Sequence, residues 1–211
     1  MRTPSDSIIQ WQENACTTCV SAFVLRFFDK INVVDLASID EELGCASYQT
    51  LDMSYVYLLW LKYGLQVHVI TMYDPDRMIQ EGVSYLREYY HHMWAEEWDA
   101  YWTHERITAR QLLRRQTELR LLSYSRFTAE KGQRNPELED IDAALTNDMI
   151  VCISSIGSDD TDARMIVVYG FCAKGYSVYY PDYFDDGLRE LSRHSLELLW
   201  LKSEGLAAIG L

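Results

Sequence analysis

The residues best suited to chemistry are Cys16 and the turn that leads into it. Gln12, Glu13 and Asn14 are polar and turn-prone, and an apolar run at helical spacing follows Cys16 at once. This order predicts a helix that begins at or beside Cys16. Unpaired backbone N–H groups and the positive end of the macrodipole lie at a helix N-terminus, and both favour a thiolate over a thiol. Cys16 is therefore the candidate nucleophile.

The spacing around Cys16 resembles that of a known family. Gln10 lies six residues before Cys16, and Cys19 with a phenylalanine-rich helix follows. These features resemble the opening of the bacteriocin-leader (double-glycine) peptidases, a branch of the papain-like cysteine peptidases. The resemblance implies that Cys16 is the nucleophile and that Gln10 helps to form the oxyanion hole, with Gln12 as the alternative glutamine. The family usually has glycine where Thr17 stands.

A cysteine hydrolase also needs a base and a group that orients it. In the resembled family a histidine begins a strand that ends in a glycine–aromatic pair, and an aspartate precedes a proline at the end of the next strand. Residues 163–171 and 176–184 resemble these two strands. Arg164 stands at the histidine position and Tyr180 at the aspartate position. Since both departures fall on the catalytic partners, the resemblance implies a catalytically disabled relative.

The two substitutions change the chemistry that is expected. Arginine stays protonated at ordinary pH and cannot act as a general base. Arg164 could still pair with a Cys16 thiolate or bind a carboxylate. Asp182 is an alternative orienting group if the turn shifts, but without a histidine it would orient nothing. Proton transfer contributes roughly 10²–10⁴-fold to such reactions, so we expect any amidase activity to be poor.

No other residue is an obvious replacement base or metal ligand. His68 lies on a predicted strand and His194 at the start of the last predicted helix. Neither of these, nor His104, has family-like spacing from Cys16. Cys16 and Cys19 form half of a zinc pattern, or a redox pair, but no second pair follows and no thioredoxin-like βαβ unit surrounds them. Helical register makes Cys19 a core residue. No metal and no cofactor are expected.

Composition fits one globular domain in a reducing compartment. The chain has 211 residues, of which 48% are hydrophobic and 24% charged. Its net charge of −13 argues against nucleic acid and anionic membranes and suits a basic peptide or protein surface. The first residues lack the apolar core of a signal peptide, and no apolar run is long enough for membrane insertion. With five cysteines, an odd count, we expect thiols and a cytoplasmic location.

Apolar periodicity predicts the elements that would hold these residues. The predicted helices cover 16–28, 32–43, 52–63, about 135–145 and 192–200. The predicted strands cover 65–73, 149–156, 164–171, 176–180 and 206–211. The segment 74–122 is predicted to be a helical, aromatic-rich insertion or subdomain, and 123–134 a polar linker.

Helices followed by an antiparallel sheet predict an α+β fold. The resemblance implies one papain-like domain over 1–211, in which the cysteine-bearing helix and further helices pack on a C-terminal antiparallel sheet. Within it, Asn135 is predicted as an N-cap and Pro136 as the first helical residue.

These patterns lead to one expected function and two alternatives. We expect a degenerate cysteine-peptidase-like domain that does not hydrolyse its ligand and binds a peptide or partner protein in the former cleft. Cys16, Gln10 and Arg164 would line this cleft, with Tyr180 and Asp182 nearby. The first alternative is an active cysteine peptidase, amidohydrolase or acyltransferase whose base comes from elsewhere in the chain or from a partner. The second is a structural subunit whose acidic face docks on a basic partner. The oligomeric state stays open.

Overall fold

The chain folds into five helices and one seven-stranded sheet in the part that the computed structural model describes. The described residues are 16–43, 53–71, 77, 80–81, 124–130, 134–156, 163–181, 187–200 and 205–211. The helices are α1 Cys16–Phe27, α2 Leu36–Leu43, α3 Met53–Lys62, α4 Leu138–Thr146 and α5 Arg193–Leu199. The strands are β1 Gln66–Ile70, β2 Phe127–Ala129, β3 Ile150–Ile156, β4 Ala163–Cys172, β5 Gly175–Tyr179, β6 Leu188–Ser192 and β7 Leu206–Gly210.

The sheet is mixed but mostly antiparallel. Its strand order is β2-β1-β7-β3-β4-β5-β6, and only the pair β1–β2 is parallel. The predicted α+β class is therefore confirmed. The sheet is less strictly C-terminal than predicted, because β1 and β2 precede α4 in the chain and still pair with the C-terminal strands through β7.

Helices cover both faces of the sheet because the side chains of each strand alternate between the faces. Val67, Val167 and Ile209 pack with α1, α2 and α3, and we call this side the front face. Val151 and Ile166 pack with α4 and α5 on the other side, which we call the back face. The central strands of this sheet are consequently apolar on both sides, and two separate cores result.

Helix α1 is fixed at both ends. Near its start, the Thr18 hydroxyl donates a hydrogen bond to Asp40 of α2. At its end, Asp29 adopts a positive φ of 54°, and the Lys30 N–H reaches back to the Leu25 carbonyl oxygen at 2.8 Å. This six-residue closure with a left-handed residue is a Schellman-type C-cap. Cys16 is thus presented by a helix whose two ends are both held in place.

Helix α3 ends where the sequence predicts. Gly64 has a positive φ of 81°, and the Leu65 N–H donates to the Trp60 carbonyl oxygen at 3.1 Å. Only glycine adopts this conformation without strain, so the helix stops and β1 begins.

Three local predictions are wrong. The helix predicted over 32–43 begins only at Leu36, because the Asp35 carboxylate accepts from the Ala37 N–H at 3.1 Å and so caps the helix there. The predicted linker 123–134 contains β2. The strand β6, which precedes α5, was not predicted; its side chains are exposed or half-buried, so it lacks an apolar signature.

The N-cap of α4 also differs from its prediction. Glu137, not Asn135, is the N-cap, and it forms a capping box with Asp140. The Asp140 carboxylate accepts the Glu137 N–H at 2.7 Å and is held by Arg134 at 2.7 Å. Pro136 therefore lies just before the helix and not at its first position.

Of the helical insertion predicted over 74–122, residues 77, 80 and 81 are helical, and the rest lies outside the described residues. No helix within the described ranges has the length and apolarity needed to cross a membrane.

Candidate functional site

Cys16 is the first residue of α1, as the sequence predicts, and it is half-buried. Its Sγ accepts a hydrogen bond from the Met165 N–H at 3.4 Å and lies 3.7 Å from the Met165 carbonyl oxygen. The last pair between β4 and β5 joins Val167 to Tyr179. Met165 thus lies beyond the end of β5, and the sulfur of Cys16 takes the place of a strand partner there.

Cys16 packs against buried side chains of the front face. Cys19, Cys152 and Tyr179 are each at most 2% exposed. Burial raises the pKa of the Cys152 thiol far above its ordinary range, and the nearby Cys16 adds to this effect. Cys16, Cys19 and Cys152 are all present as thiols. We call Cys16, Cys19, Cys152, Met165 and Tyr179 together the Cys16 site.

Tyr179 is held in this site by contacts with Phe23 and with Gly187. Its ring stacks on Phe23 of α1, with centroids 4.3 Å apart and planes at 4°. On Gly187, an added Cβ would lie 2.9 Å from Tyr179 Cε2, so only a glycine allows the backbone to approach the ring this closely. The Tyr179 ring therefore has one position between α1 and the segment that leads into β6.

The hydroxyl of Tyr179 is the unusual polar group of the site. Its oxygen is buried and has no hydrogen-bond partner in the described part of the chain. Burial raises the pKa of Tyr179 far above its ordinary range, and Cys19 and Cys16 raise it further. The phenol is consequently a neutral O–H donor near both thiols. It is too weak an acid to release its proton during a reaction.

The two described histidines lie away from the Cys16 site. Val67 and Val69 face the front, so the intervening His68 belongs to the back face, where its Nδ1 is 2.8 Å from Thr128 Oγ1. Strand β1 is separated from β4 by β7 and β3, a distance of about 14 Å at the usual strand spacing. His194 belongs to α5, which packs on the back face. The candidate base His104 lies outside the described residues.

The other predicted site residues are only partly described. Tyr180 packs in the back core, where the Arg189 guanidinium lies 5.2 Å from its ring centroid. The structure thus brings Tyr179, and not Tyr180, to Cys16. Arg164 pairs through its backbone with Ser155 of β3, and its side chain is outside the description. Gln10 and Asp182 lie outside the described residues as well.

Sequence analysis did not identify Cys152, Met165 and Tyr179 as part of the site. The alternation of side chains along the predicted strands was a usable signal. Val167 lies opposite Tyr179 in an antiparallel pair, so residues 165, 167 and 179 share one face of the sheet. Tertiary contacts decide which face of the sheet α1 covers, and this choice cannot be predicted from the sequence alone.

Comparison with protein-family models gives no match for this chain, and a search of curated proteins also gives none. Among the residues described, no group of three His, Cys, Asp or Glu side chains could hold a metal ion. The Cys16 site itself offers thiols, one peptide N–H donor and one neutral phenol.

Proposed function

We propose that the chain is a degenerate, papain-like cysteine-peptidase domain that binds a peptide or partner protein beside Cys16 without hydrolysing it. The observation that carries the proposal is the position of the described imidazoles. Cys16 contacts Met165 on the front face, whereas His68 and His194 belong to the back face and to α5. The strand positions nearest the sulfur hold methionine and tyrosine instead of a base.

The mechanism of amide cleavage explains why this arrangement favours binding. A peptide amide leaves as an amine only if an acid protonates it, and in cysteine peptidases a histidine that first accepts the thiol proton supplies it. Tyr179 cannot take this part, because burial holds the pKa of its phenol far above its ordinary range. Cys152, whose thiol pKa is also raised by burial, is equally unsuited. A bound peptide would therefore stay intact.

Charge supports a basic ligand. The chain carries 32 acidic and 19 basic side chains, for a net charge of −13. Such a surplus attracts a basic peptide at long range, and the attraction weakens as salt is added. A cytoplasmic location belongs to the same proposal, since the four described cysteines are thiols.

A pair of synthetic peptides tests the proposal. One is rich in lysine and contains a Gly-Gly pair, as the name of the resembled double-glycine family suggests; the other has the same sequence with glutamate for lysine. Binding is measured by fluorescence anisotropy and cleavage by mass spectrometry, for the native chain and for Cys16→Ala. We expect salt-sensitive binding of the basic peptide to both proteins and cleavage by neither. Cleavage that depends on Cys16, or equal binding of the two peptides, would contradict the proposal.

One observation favours the alternative of an active cysteine hydrolase or acyltransferase. Cys16 stands at the N-terminus of α1 and accepts a peptide N–H, and both features stabilise negative charge on sulfur. This alternative predicts an acyl group on Cys16 after incubation with an activated thioester. A thioester that acylates no residue, or acylates only exposed lysines, would leave the binding proposal as the better account.

A further inference from the structure

Two cysteines of the Cys16 site lie one helical turn apart at the start of α1. Cys16 is the first helical residue and is half-buried, whereas Cys19 is 0% exposed. Side chains three residues apart on a helix have Cβ atoms about 5–6 Å from each other. A disulfide needs about 3.5–4.5 Å. Cys16 is the first helical residue, so a rotation at this residue, with loss of the Sγ contact to the Met165 backbone, closes the gap.

A second observation is the unpartnered hydroxyl of Tyr179. Phe23 lies four residues after Cys19 and therefore on the same side of α1. The Tyr179 ring stacks flat on the Phe23 ring. The buried Tyr179 oxygen has no partner within the described residues, and the groups that act on it electrostatically are Cys19 and Cys16. The hydroxyl is therefore near both sulfurs but is not hydrogen-bonded to either, and negative charge on a sulfur that turns toward it would complete this hydrogen bond.

We propose that Cys16 and Cys19 form a thiol–disulfide exchange site for low-molecular-weight disulfides of the glutathione class. Cys16 is the attacking thiol, because it is the one that solvent reaches. Cys19 is the resolving thiol, and Tyr179 is a positioning residue that donates to the sulfur on which charge develops. This goes beyond peptide binding and does not depend on it.

The proposed exchange balances without a further reactant. The Cys16 thiolate attacks one sulfur of the small disulfide, the S–S bond breaks, and the first thiolate leaves and takes up the proton that Cys16 released. Cys19 then loses its proton and attacks Cys16 Sγ, expelling the second small thiolate, which takes up that proton. The protein dithiol is oxidised to a disulfide, and the small disulfide is reduced to two thiols.

The same feature that disfavours amide cleavage permits this reaction. An amine leaving group must be protonated as it departs, whereas a thiol of ordinary acidity leaves as a thiolate. A site with thiols, one peptide N–H and a neutral phenol therefore suffices for exchange with disulfides.

Disulfide mapping of the native chain tests the proposal. The folded protein is incubated with oxidised glutathione, blocked with N-ethylmaleimide, digested and analysed by mass spectrometry, alongside a sample oxidised in denaturant. We expect an intramolecular Cys16–Cys19 disulfide that dithiothreitol reverses. The proposal is overturned if Cys16 stays reduced in the folded protein, or if it pairs with Cys152 instead.

Variants separate the roles of the three side chains. Cys19→Ala should accumulate a stable mixed disulfide between Cys16 and glutathione, whereas the control Cys172→Ala, at the far end of β4, should still close the Cys16–Cys19 bond. If Cys19→Ala does not fold, the disulfide map of the native chain decides alone.

Tyr179→Phe should slow the exchange roughly two- to ten-fold, the effect of one hydrogen bond. Tyr176→Phe, on the back face, should not; equal rates for both variants would remove Tyr179 from the proposal.

Discussion

Phe23 of α1 and Tyr179 of β5 stack face to face, with ring centroids 4.3 Å apart and ring planes at 4°. This contact joins the helix that begins at Cys16 to the end of the strand beside Met165. It also fixes the direction in which the Tyr179 hydroxyl points. The geometry of the Cys16 site therefore depends on a pair of aromatic rings, and the first predictions concern them.

Removing the Phe23 ring should destabilise the protein strongly. Phe23 is 4% exposed, and truncation of a buried phenylalanine to alanine costs about 3–5 kcal/mol. Phe171→Ala is the matched control, because Phe171 is 44% exposed and should change the free energy of unfolding by less than about 1 kcal/mol. Urea denaturation of both variants measures the difference. Equal losses would mean that the stacked ring is not part of the stable core.

Gly187→Ala should displace Tyr179. Gly187 has a positive φ of 72°, and a Cβ there would lie 2.8 Å from the Tyr180 carbonyl oxygen and 2.9 Å from Tyr179 Cε2. We expect a loss of at least about 1–3 kcal/mol from backbone strain alone. In the control Gly210→Ala, the nearest atom is Met149 Cγ at 3.2 Å, on a flexible side chain that can move. Thermal unfolding should therefore separate the two variants, and similar melting temperatures would contradict the packing described for Gly187.

Removal of the Tyr179 hydroxyl and removal of the Tyr176 hydroxyl should have different effects on stability. Tyr179→Phe deletes a buried oxygen that has no partner among the described residues, so stability should be unchanged or higher by up to about 1 kcal/mol. Tyr176→Phe deletes a hydroxyl that donates to Asp142 Oδ1 at 2.8 Å, and stability should fall by about 1 kcal/mol. Chemical denaturation gives both values. A clear loss for Tyr179→Phe would show that its hydroxyl is hydrogen-bonded in solution.

The sequence predicts those elements whose cause is local. Helix α1 follows from apolar residues at helical spacing, and the end of α3 follows from Gly64, whose φ is positive. Strand β2 escapes prediction because its three residues pair with β1 in parallel, across a long stretch of chain. Strand β6 escapes because it is an edge strand with no buried residue, two of its five residues being exposed and three half-buried.

The site is less predictable than the fold. Cys16 at the start of α1 is a local feature and was found. Its neighbours Met165 and Tyr179 depend on which face of the sheet α1 covers, and Cys152 depends on the register of β3 against β4. Tyr180, chosen from its position before a proline, belongs to the back core because adjacent strand residues face opposite sides.

Acid should weaken the start of α4. Hydrogen bonds from Arg134 hold the pKa of Asp140 below its ordinary value. A carboxylate with a lowered pKa in the folded state contributes stability above its unfolded pKa, and this contribution is lost as pH falls through the folded pKa. Asp140→Asn keeps an acceptor for the Glu137 N–H but cannot titrate. Unfolding measured between about pH 6 and about pH 2 should therefore show a shallower acid limb for this variant.

The exposed Glu41 offers the control for this measurement. Glu41→Gln removes a carboxylate from α2 and should leave the acid limb as steep as in the native chain. An unchanged acid limb for Asp140→Asn would mean that the capping box contributes no pH-dependent stability.

The most direct test of the account is the pH dependence of Cys16 alkylation, followed at this residue by mass spectrometry. A thiol beside a histidine titrates as a coupled pair, with a second step in the imidazole range near about 6.5. We predict one titration step for Cys16, because the described histidines lie on the back face. Two steps, of which the lower disappears in a single histidine-to-alanine variant, would contradict the proposal that Cys16 binds its ligand without an imidazole base.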